Sequence, residues 1–272
     1  MKVFRKSIIS VLFIILSVTF TSCGDSVIGK SADSDNKKKI STRYYPNCPD
    51  PDTYTPITSF NDYNAWSANP VTSARFSGAV NMYYGSIVPY SGCRIEIESG
   101  ATISNCVNVQ ITAGSFVNNG TLNAMANVMI TTSDSSILNV GSSIYAAGAI
   151  MVTSDNTMTH NGSLTAAGSV HLTSQTLSFG STGYLYAAGD IAIDLMGSSV
   201  STFDGTIENS NSLDINGINL DMLSDGEIKG NGTTEIVVTN TFNDSTDIIN
   251  NGAEPPQKKY THFLGRFIAS AV

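Results

Sequence analysis

A repeat of about 21 residues runs through the centre of this chain and restricts its fold more than any other feature. In each repeat, a glycine precedes an aliphatic anchor by two or three positions. The anchors are Ile103, Leu122, Ile144, Leu164, Leu185, Ile207 and Ile228, at spacings of 19 to 22 residues. Such a period indicates a solenoid, in which each repeat forms one coil that buries its inner face against its neighbours.

The pattern inside each repeat predicts strands. Of the fourteen positions that lie six and eight residues after the anchors, thirteen are aliphatic and one is Thr234. Alternation with a period of two is typical of strands that have one buried face. A third, less regular strand is predicted around Phe116, Ile137, Met158, Leu177 with Phe179, Val200 with Phe203, Leu220 with Met222, and Phe242. Three strands per coil predict an all-β fold, a right-handed parallel β-helix over 100–252 with about seven short coils of 19–22 residues and terminal caps.

The corner between the first two strands repeats the same small residues. The phrase Gly-x-Leu-x-Ala-Ala-Gly is present at 162–168 and again at 183–189, followed in each case by two aliphatic residues two positions apart. This phrase resembles the coils of filamentous-haemagglutinin-type adhesins. The resemblance implies the fold, and only loosely an adhesive function, because such coils serve many proteins.

The N-terminus has the order of a secretory signal. Basic Lys2, Arg5 and Lys6 precede an apolar run over 8–20, which is shorter than the roughly 20 residues that a membrane-spanning helix needs. We therefore interpret residues 1–22 as a signal peptide. The following Cys23, after small residues, resembles the lipobox of bacterial lipoproteins, although Phe20 stands where that family usually has an aliphatic residue. The resemblance implies that Cys23 is acylated, that its partner is the lipid bilayer, and that the protein is on the outer membrane.

The segments on either side of the repeats differ from them in composition. Residues 23–42 are polar and predict a flexible tether between the lipid and the domain. Residues 43–99 hold Trp66, many tyrosines and six prolines, which indicates an N-terminal cap and first coils. Residues 253–272 are predicted to form a C-terminal cap or tail.

Three cysteines remain after Cys23, so the mature chain can form at most one internal disulfide. The two favoured pairings are Cys93 with Cys106 and Cys48 with Cys93. No Cys-x-x-Cys motif is present, so neither a redox motif nor a zinc knuckle is indicated.

The charge of the repeats argues against nucleic acid as a partner. Residues 100–252 contain thirteen acidic residues and one basic residue, Lys229. This excess of negative charge repels nucleic acids and anionic membrane surfaces.

Two outward-facing groups are candidate binding residues. Tyr145 and Tyr186 occupy equivalent positions two coils apart, with Thr165 between them and Tyr184 nearby, and outward aromatic rings can stack on sugars. Asp214 and Glu235 are predicted to be neighbours on adjacent coils and could attract a cation. A calcium site, however, needs six or more oxygen ligands, so the pair alone predicts no metal centre.

The sequence predicts no catalytic set and no cofactor. The repeats offer two histidines: His171 is expected to face solvent, and His160 to lie at a turn or be partly buried. The preferred hypothesis is therefore a non-enzymatic cell-envelope lipoprotein with an adhesin-like or structural β-helix, whose partner is a surface glycan or protein. The alternative is a glycan-binding or polysaccharide-degrading β-helix protein.

Overall fold

The computed structural model describes Cys48 and residues 50–82, 85–87, 93–105, 107–230, 233–244, 247–250 and 259–260. The predicted signal peptide and tether, with Cys23, lie outside these residues. So do Cys106 and all of the predicted C-terminal cap except 259–260.

Strands dominate the described residues, which include one helix. The first coils contain β1 (Asp50–Ile57), β2 (Thr72–Phe76), β3 (Ala79–Met82), β4 (Gly85–Ile87), β5 (Arg94–Ile97), β6 (Thr102–Asn105), β7 (Val109–Ala113) and β8 (Ser115–Asn118). The middle coils contain β9 (Thr121–Ala124), β10 (Val128–Thr132), β11 (Ser135–Leu138), β12 (Ser143–Ala146), β13 (Ile150–His160), β14 (Ser163–Ala166), β15 (Val170–Phe179) and β16 (Tyr184–Ala187). The last coils contain β17 (Ile191–Leu195), β18 (Ser201–Phe203), β19 (Thr206–Asn209), β20 (Ser212–Met222), β21 (Glu227–Gly230), β22 (Thr233–Asp244), β23 (Asp247–Asn250) and β24 (Lys259–Tyr260).

These strands form two parallel sheets that are stacked as a β-solenoid of about eight turns. A nine-stranded sheet has the order β23-β21-β19-β16-β14-β12-β9-β6-β3 and takes one strand from each coil. A fifteen-stranded sheet takes the remaining strands, and β13, β15, β20 and β22 each run through two strand positions of their coil. The predicted parallel β-helix is therefore confirmed.

The predicted anchors form one continuous column inside the solenoid. Each pairs in register with the anchor of the next coil, from Ile103 opposite Leu122 to Ile207 opposite Ile228. All seven are at most 2 % exposed. The column starts one coil earlier than the predicted repeats, because Val80 is in register with Ile103.

The third strand differs from the prediction at two positions. Val200 is 46 % exposed and lies just before β18. Leu138, at 1 % exposure, fills the interior position of its coil, and Ile137 points outward between Val117 and Thr159. Because side chains alternate across a strand, an error of one residue reverses which side chain is buried.

The corner after the first strand requires glycine because the coils approach closely there. The amide of Gly168 donates to the carbonyl of Gly148 at 2.9 Å, and the amide of Gly189 donates to Gly168 at 2.9 Å. A Cβ atom on Gly168 would lie 2.9 Å from the carbonyl carbon and oxygen of Gly148. The repeated glycine therefore allows direct stacking of the backbone.

The N-terminal coils carry a helix and a disulfide. Helix α1 (Phe60–Ser67) buries Tyr63 and Trp66 in the main hydrophobic core, and the Trp66 indole donates to the carbonyl of Thr72 at 3.2 Å. Cys48 is bonded to Cys93, which confirms one of the two pairings left open by the sequence. Among the described residues, no helix has the length and apolar character that crossing a membrane requires.

Candidate functional site

The nine-stranded sheet presents two outward rows of side chains along the solenoid. Burial alternates within its four-residue strands, so each strand contributes two outward positions. We call one part of this face the tyrosine surface, and it consists of Tyr145, Thr165, Tyr184, Tyr186 and Glu208. Tyr145, Thr165, Tyr186 and Glu208 follow one another in register on successive coils, and Tyr184 lies in the neighbouring row.

The aromatic side chains of this surface face solvent, as the sequence predicts. Tyr145 is 37 % exposed, and Tyr184 and Tyr186 are half-buried. Thr165, the residue between Tyr145 and Tyr186, is also half-buried and is much smaller than either tyrosine. The row therefore has a gap of one coil between two aromatic side chains.

A hydrogen bond between coils orders the polar end of the tyrosine surface. The Tyr184 hydroxyl donates to Oε2 of Glu208 at 2.9 Å. Burial raises the pKa of Tyr184 to about 12, and the hydrogen bond and charge of Glu208 act in the same direction. Tyr184 therefore stays protonated at physiological pH and continues to donate to the carboxylate.

The only lysine of the repeats lies next to this surface and is paired. Nζ of Lys229 is 2.6 Å from Oε2 of Glu227, an ion pair within one strand. Lys229 is also in register with Glu208 on the preceding coil. The carboxylates of Glu208 and Glu227 consequently outnumber the cationic groups at this end of the sheet.

The fifteen-stranded sheet carries a second outward row, with a different chemistry. In register it consists of Gln110, Met129, Met151, His171, Ala192, Asp214 and Glu235. Met129 is 41 % exposed and Met151 is 40 % exposed. The row thus changes from apolar to acidic along the solenoid, and it places Asp214 beside Glu235.

The acidic end of this row does not assemble a metal site. Partial burial raises the pKa of Asp214, and the charges of Glu235, Asp190 and Asp194 raise it further. Asp190 and Asp194 are each held by hydrogen bonds from the next coil, for example from Ser212 to Asp190 at 2.6 Å. Among the described residues, no three histidine, cysteine or acidic side chains are grouped so that they could hold a metal ion.

The two histidines of the repeats have opposite environments. His171 lies on the outer face, where Nε2 is 2.7 Å from Oδ2 of Asp194, and both side chains are about 40 % exposed. His160 is fully buried at the end of β13, which corrects the prediction of a turn or a partly buried residue.

His160 belongs to an interior column that also includes Ile97, Asn118, Leu138, Phe179, Phe203 and Met222. Its ring meets Phe179 edge-on, with the ring centroids 4.6 Å apart. Nε2 lies 3.1 Å from the carbonyl oxygen of Tyr184, and Nδ1 has no hydrogen-bond partner. Because a carbonyl only accepts, Nε2 carries the proton. Burial lowers the pKa of His160 to about 4, so the ring is neutral.

A polar network in the first coils was not predicted from the sequence. Arg75 lies 3.3 Å from Oε2 of Glu96 and 3.6 Å from Oε1 of Glu98, and its guanidinium is 4.1 Å from the ring centroid of Tyr54. Asn119 donates to the other oxygen of Glu96 at 3.5 Å. Arg75 lies outside residues 100–252, over which the sequence predicts the β-helix, so the repeat pattern does not point to it.

This network borders a shallow depression lined by Glu96, Glu98, Ser99, Asn119 and Val140. The carboxylates there are already engaged by Arg75 and Asn119, so the network mainly joins neighbouring coils.

No family model, curated protein or solved structure matches this chain.

Proposed function

We propose that this protein is a non-enzymatic lipoprotein of the bacterial cell envelope, anchored through acylated Cys23, whose β-helix is an adhesin-like or structural module. The observation that carries the proposal is the unbroken register of the nine-stranded sheet. It produces an outer face on which side chains recur at each coil, and such a face suits extended contact with a partner.

The disulfide between Cys48 and Cys93 supports the compartment. Disulfides persist in secreted and envelope proteins and are rare in the bacterial cytosol. A sequence with a signal-like N-terminus and an oxidised pair in its folded part fits an extracytoplasmic location.

Lipid attachment is tested by labelling. Cells that express the full chain are grown with labelled palmitate and then fractionated. We expect the label on the wild type and its loss in Cys23→Ser, which should leave the membrane fraction. A labelled Cys23→Ser protein, or an unlabelled wild type, would exclude anchoring at this residue.

Adhesion is tested on intact bacteria. The full chain is produced in a non-adherent strain, and attachment to host cells and to matrix-coated surfaces is measured with and without protease treatment of the surface. Protease-sensitive attachment supports an adhesin. If the protein on intact cells resists protease and the cells do not attach more strongly, a structural module that faces the periplasm is favoured.

We propose glycan binding at the tyrosine surface as the second candidate function. The observation that favours it is the combination of solvent-facing aromatic rings with a carboxylate held in place by Tyr184. Aromatic rings stack on the apolar faces of sugars, and carboxylates accept hydrogen bonds from their hydroxyl groups. A panel of oligosaccharides tests it, with Tyr145→Ala combined with Tyr186→Ala as the variant that should lose binding.

A further inference from the structure

We infer that the tyrosine surface binds an uncharged glycan chain that lies along the solenoid axis, with one sugar ring over Thr165 between Tyr145 and Tyr186. This inference rests on the second candidate function and specifies the ligand and its placement.

The gap over Thr165 has the dimensions of one ring. Tyr145, Thr165 and Tyr186 are in register on three successive coils. Neighbouring strands are about 4.8 Å apart, so the backbones that carry the two tyrosines are separated by roughly 10 Å. A sugar ring placed above the small Thr165 can contact an aromatic side chain on each side.

The width of the sheet determines the direction of the chain. Each strand of the nine-stranded sheet has only two outward positions, as in β14, where Ser163 and Thr165 alternate with buried Leu164 and Ala166. A ligand that ran along a strand would leave the face after about one sugar. One that crosses the strands can contact Tyr145, Thr165, Tyr186 and Glu208 in order along a single row.

The polar groups along this row match a hydroxyl-rich ligand. The hydroxyls of Ser163 and Thr165 lie 3.4 Å apart on the floor of the gap. Oε2 of Glu208 accepts from Tyr184, and the carboxylate keeps Oε1 and a second lone pair of Oε2 to accept from a ligand. An ionised carboxylate only accepts hydrogen bonds, and the ligand group that meets it must therefore be a donor such as a hydroxyl.

The charge of the surface excludes acidic glycans. Glu208 and Glu227 lie along the two rows, and the one lysine nearby is already paired with Glu227 at 2.6 Å. A uronate or sulfate group on the chain would meet these carboxylates without a free cation among the described residues of the nine-stranded sheet, and like charges repel.

Thr165→Tyr tests the placement directly. The substitution fills the gap with a third tyrosine in the same row, and it leaves Tyr145, Tyr186 and the buried face unchanged. Thr165→Ser is the matched control, because it keeps both the hydroxyl and the space. The full chain in detergent is titrated with neutral gluco-, manno-, xylo- and galacto-hexasaccharides and with hexagalacturonate. Thermal unfolding of each variant verifies that the fold is kept.

We expect at least one neutral hexasaccharide to bind the wild type and Thr165→Ser equally. Thr165→Tyr should bind it at least about tenfold more weakly, which corresponds to about 1.4 kcal/mol. Hexagalacturonate should not bind.

Two results would overturn the placement and leave glycan binding in place. In the first, Thr165→Tyr binds the neutral hexasaccharide as tightly as the wild type does, while the double variant Tyr145→Ala, Tyr186→Ala does not bind it. In the second, the wild type binds hexagalacturonate more tightly than the neutral hexasaccharides. Absence of binding to every oligosaccharide by the wild type would overturn both the placement and the second candidate function.

Discussion

Nε2 of His160 lies 3.1 Å from the backbone carbonyl oxygen of Tyr184, three strands further along the chain and inside the solenoid. This hydrogen bond fixes the neutral tautomer of a buried ring whose neighbours in the interior column are Leu138 and Phe179. No described charged residue contributes to the low pKa of His160, which burial causes. A proton on Nδ1 would place an uncompensated charge beside Phe179.

Acidification should therefore destabilise the fold through His160. The pKa is about 4 in the folded protein and 6.5 in the unfolded chain, so the unfolded state binds more protons between these values. The free energy of unfolding should fall as the pH decreases from 6.5 to 4, by up to about 3 kcal/mol. Chemical denaturation at several pH values measures this fall.

In His160→Leu, the free energy of unfolding should no longer decrease between pH 6.5 and 5, a range in which few carboxylates titrate. His171→Gln, at the exposed histidine, is the matched control, and its free energy of unfolding should decrease over this range as in the wild type. An unchanged pH profile in His160→Leu would show that the buried ring does not cause the fall.

Asp214→Asn should stabilise the protein slightly at pH 7. The pKa of Asp214 is raised, so the folded state favours the protonated form and the ionised form is destabilising above the folded pKa. This penalty disappears as the pH falls through the folded pKa, and below about 3.8 the two proteins should be alike. Because Asp214 is only partly buried and solvent screens its charge, we expect less than about 1 kcal/mol.

Thermal unfolding of Asp214→Asn in low salt measures the gain, with Asp225→Asn in an exposed turn as the control. If calcium stabilises the wild type more than sodium chloride of equal ionic strength does, and Asp214→Asn loses this effect, the pair with Glu235 binds a cation after all.

Removal of the disulfide should destabilise the first coils. The bond joins residues 45 positions apart and restricts the unfolded chain. Cys48→Ala with Cys93→Ala should lower the free energy of unfolding by about 2–4 kcal/mol. Peptide mapping without reductant should recover Cys48 linked to Cys93. Recovery of Cys93 linked to Cys106 would contradict the structure.

Gly168→Ala should destabilise the protein by about 1–3 kcal/mol, because its Cβ would overlap the backbone of Gly148 and force the coils to shift. Gly217→Ala is the matched control, since its Cβ would meet Leu195 at 3.5 Å, an ordinary contact. Equal melting temperatures for the two variants would show that the corner can relax.

The fold was predictable where the glycine and aliphatic pattern is regular. The first coil shows why the predicted β-helix starts one coil later than the observed one. Gly78 and Val80 match the anchor rule, but buried Ile87 follows Val80 by seven residues, whereas Ile111 follows Ile103 by eight. A difference of one residue reverses the alternation of buried and outward side chains when it is counted from the anchor. The repeat pattern therefore does not reveal this coil in the sequence, although the coil is present in the structure.

The candidate site was predictable only in part. Register places Tyr145, Thr165 and Tyr186 in one row, because position in a repeat determines position in a coil. The hydrogen bond from Tyr184 to Glu208 is diagonal between rows and depends on side-chain rotamers, which spacing does not specify. The burial of His160 depends on a third strand whose length varies between coils.

The backbone hydrogen bonds that join neighbouring strands run from coil to coil, along the solenoid axis. A force that pulls the two ends of the solenoid apart therefore loads one interface after another, and the coil with the weakest interface peels away first. Each coil that opens releases about 21 residues, or roughly 70 Å of extended chain. Between Cys48 and Cys93 the covalent bond blocks such extension, so under tension the first coils should be the last part of the rod to lengthen.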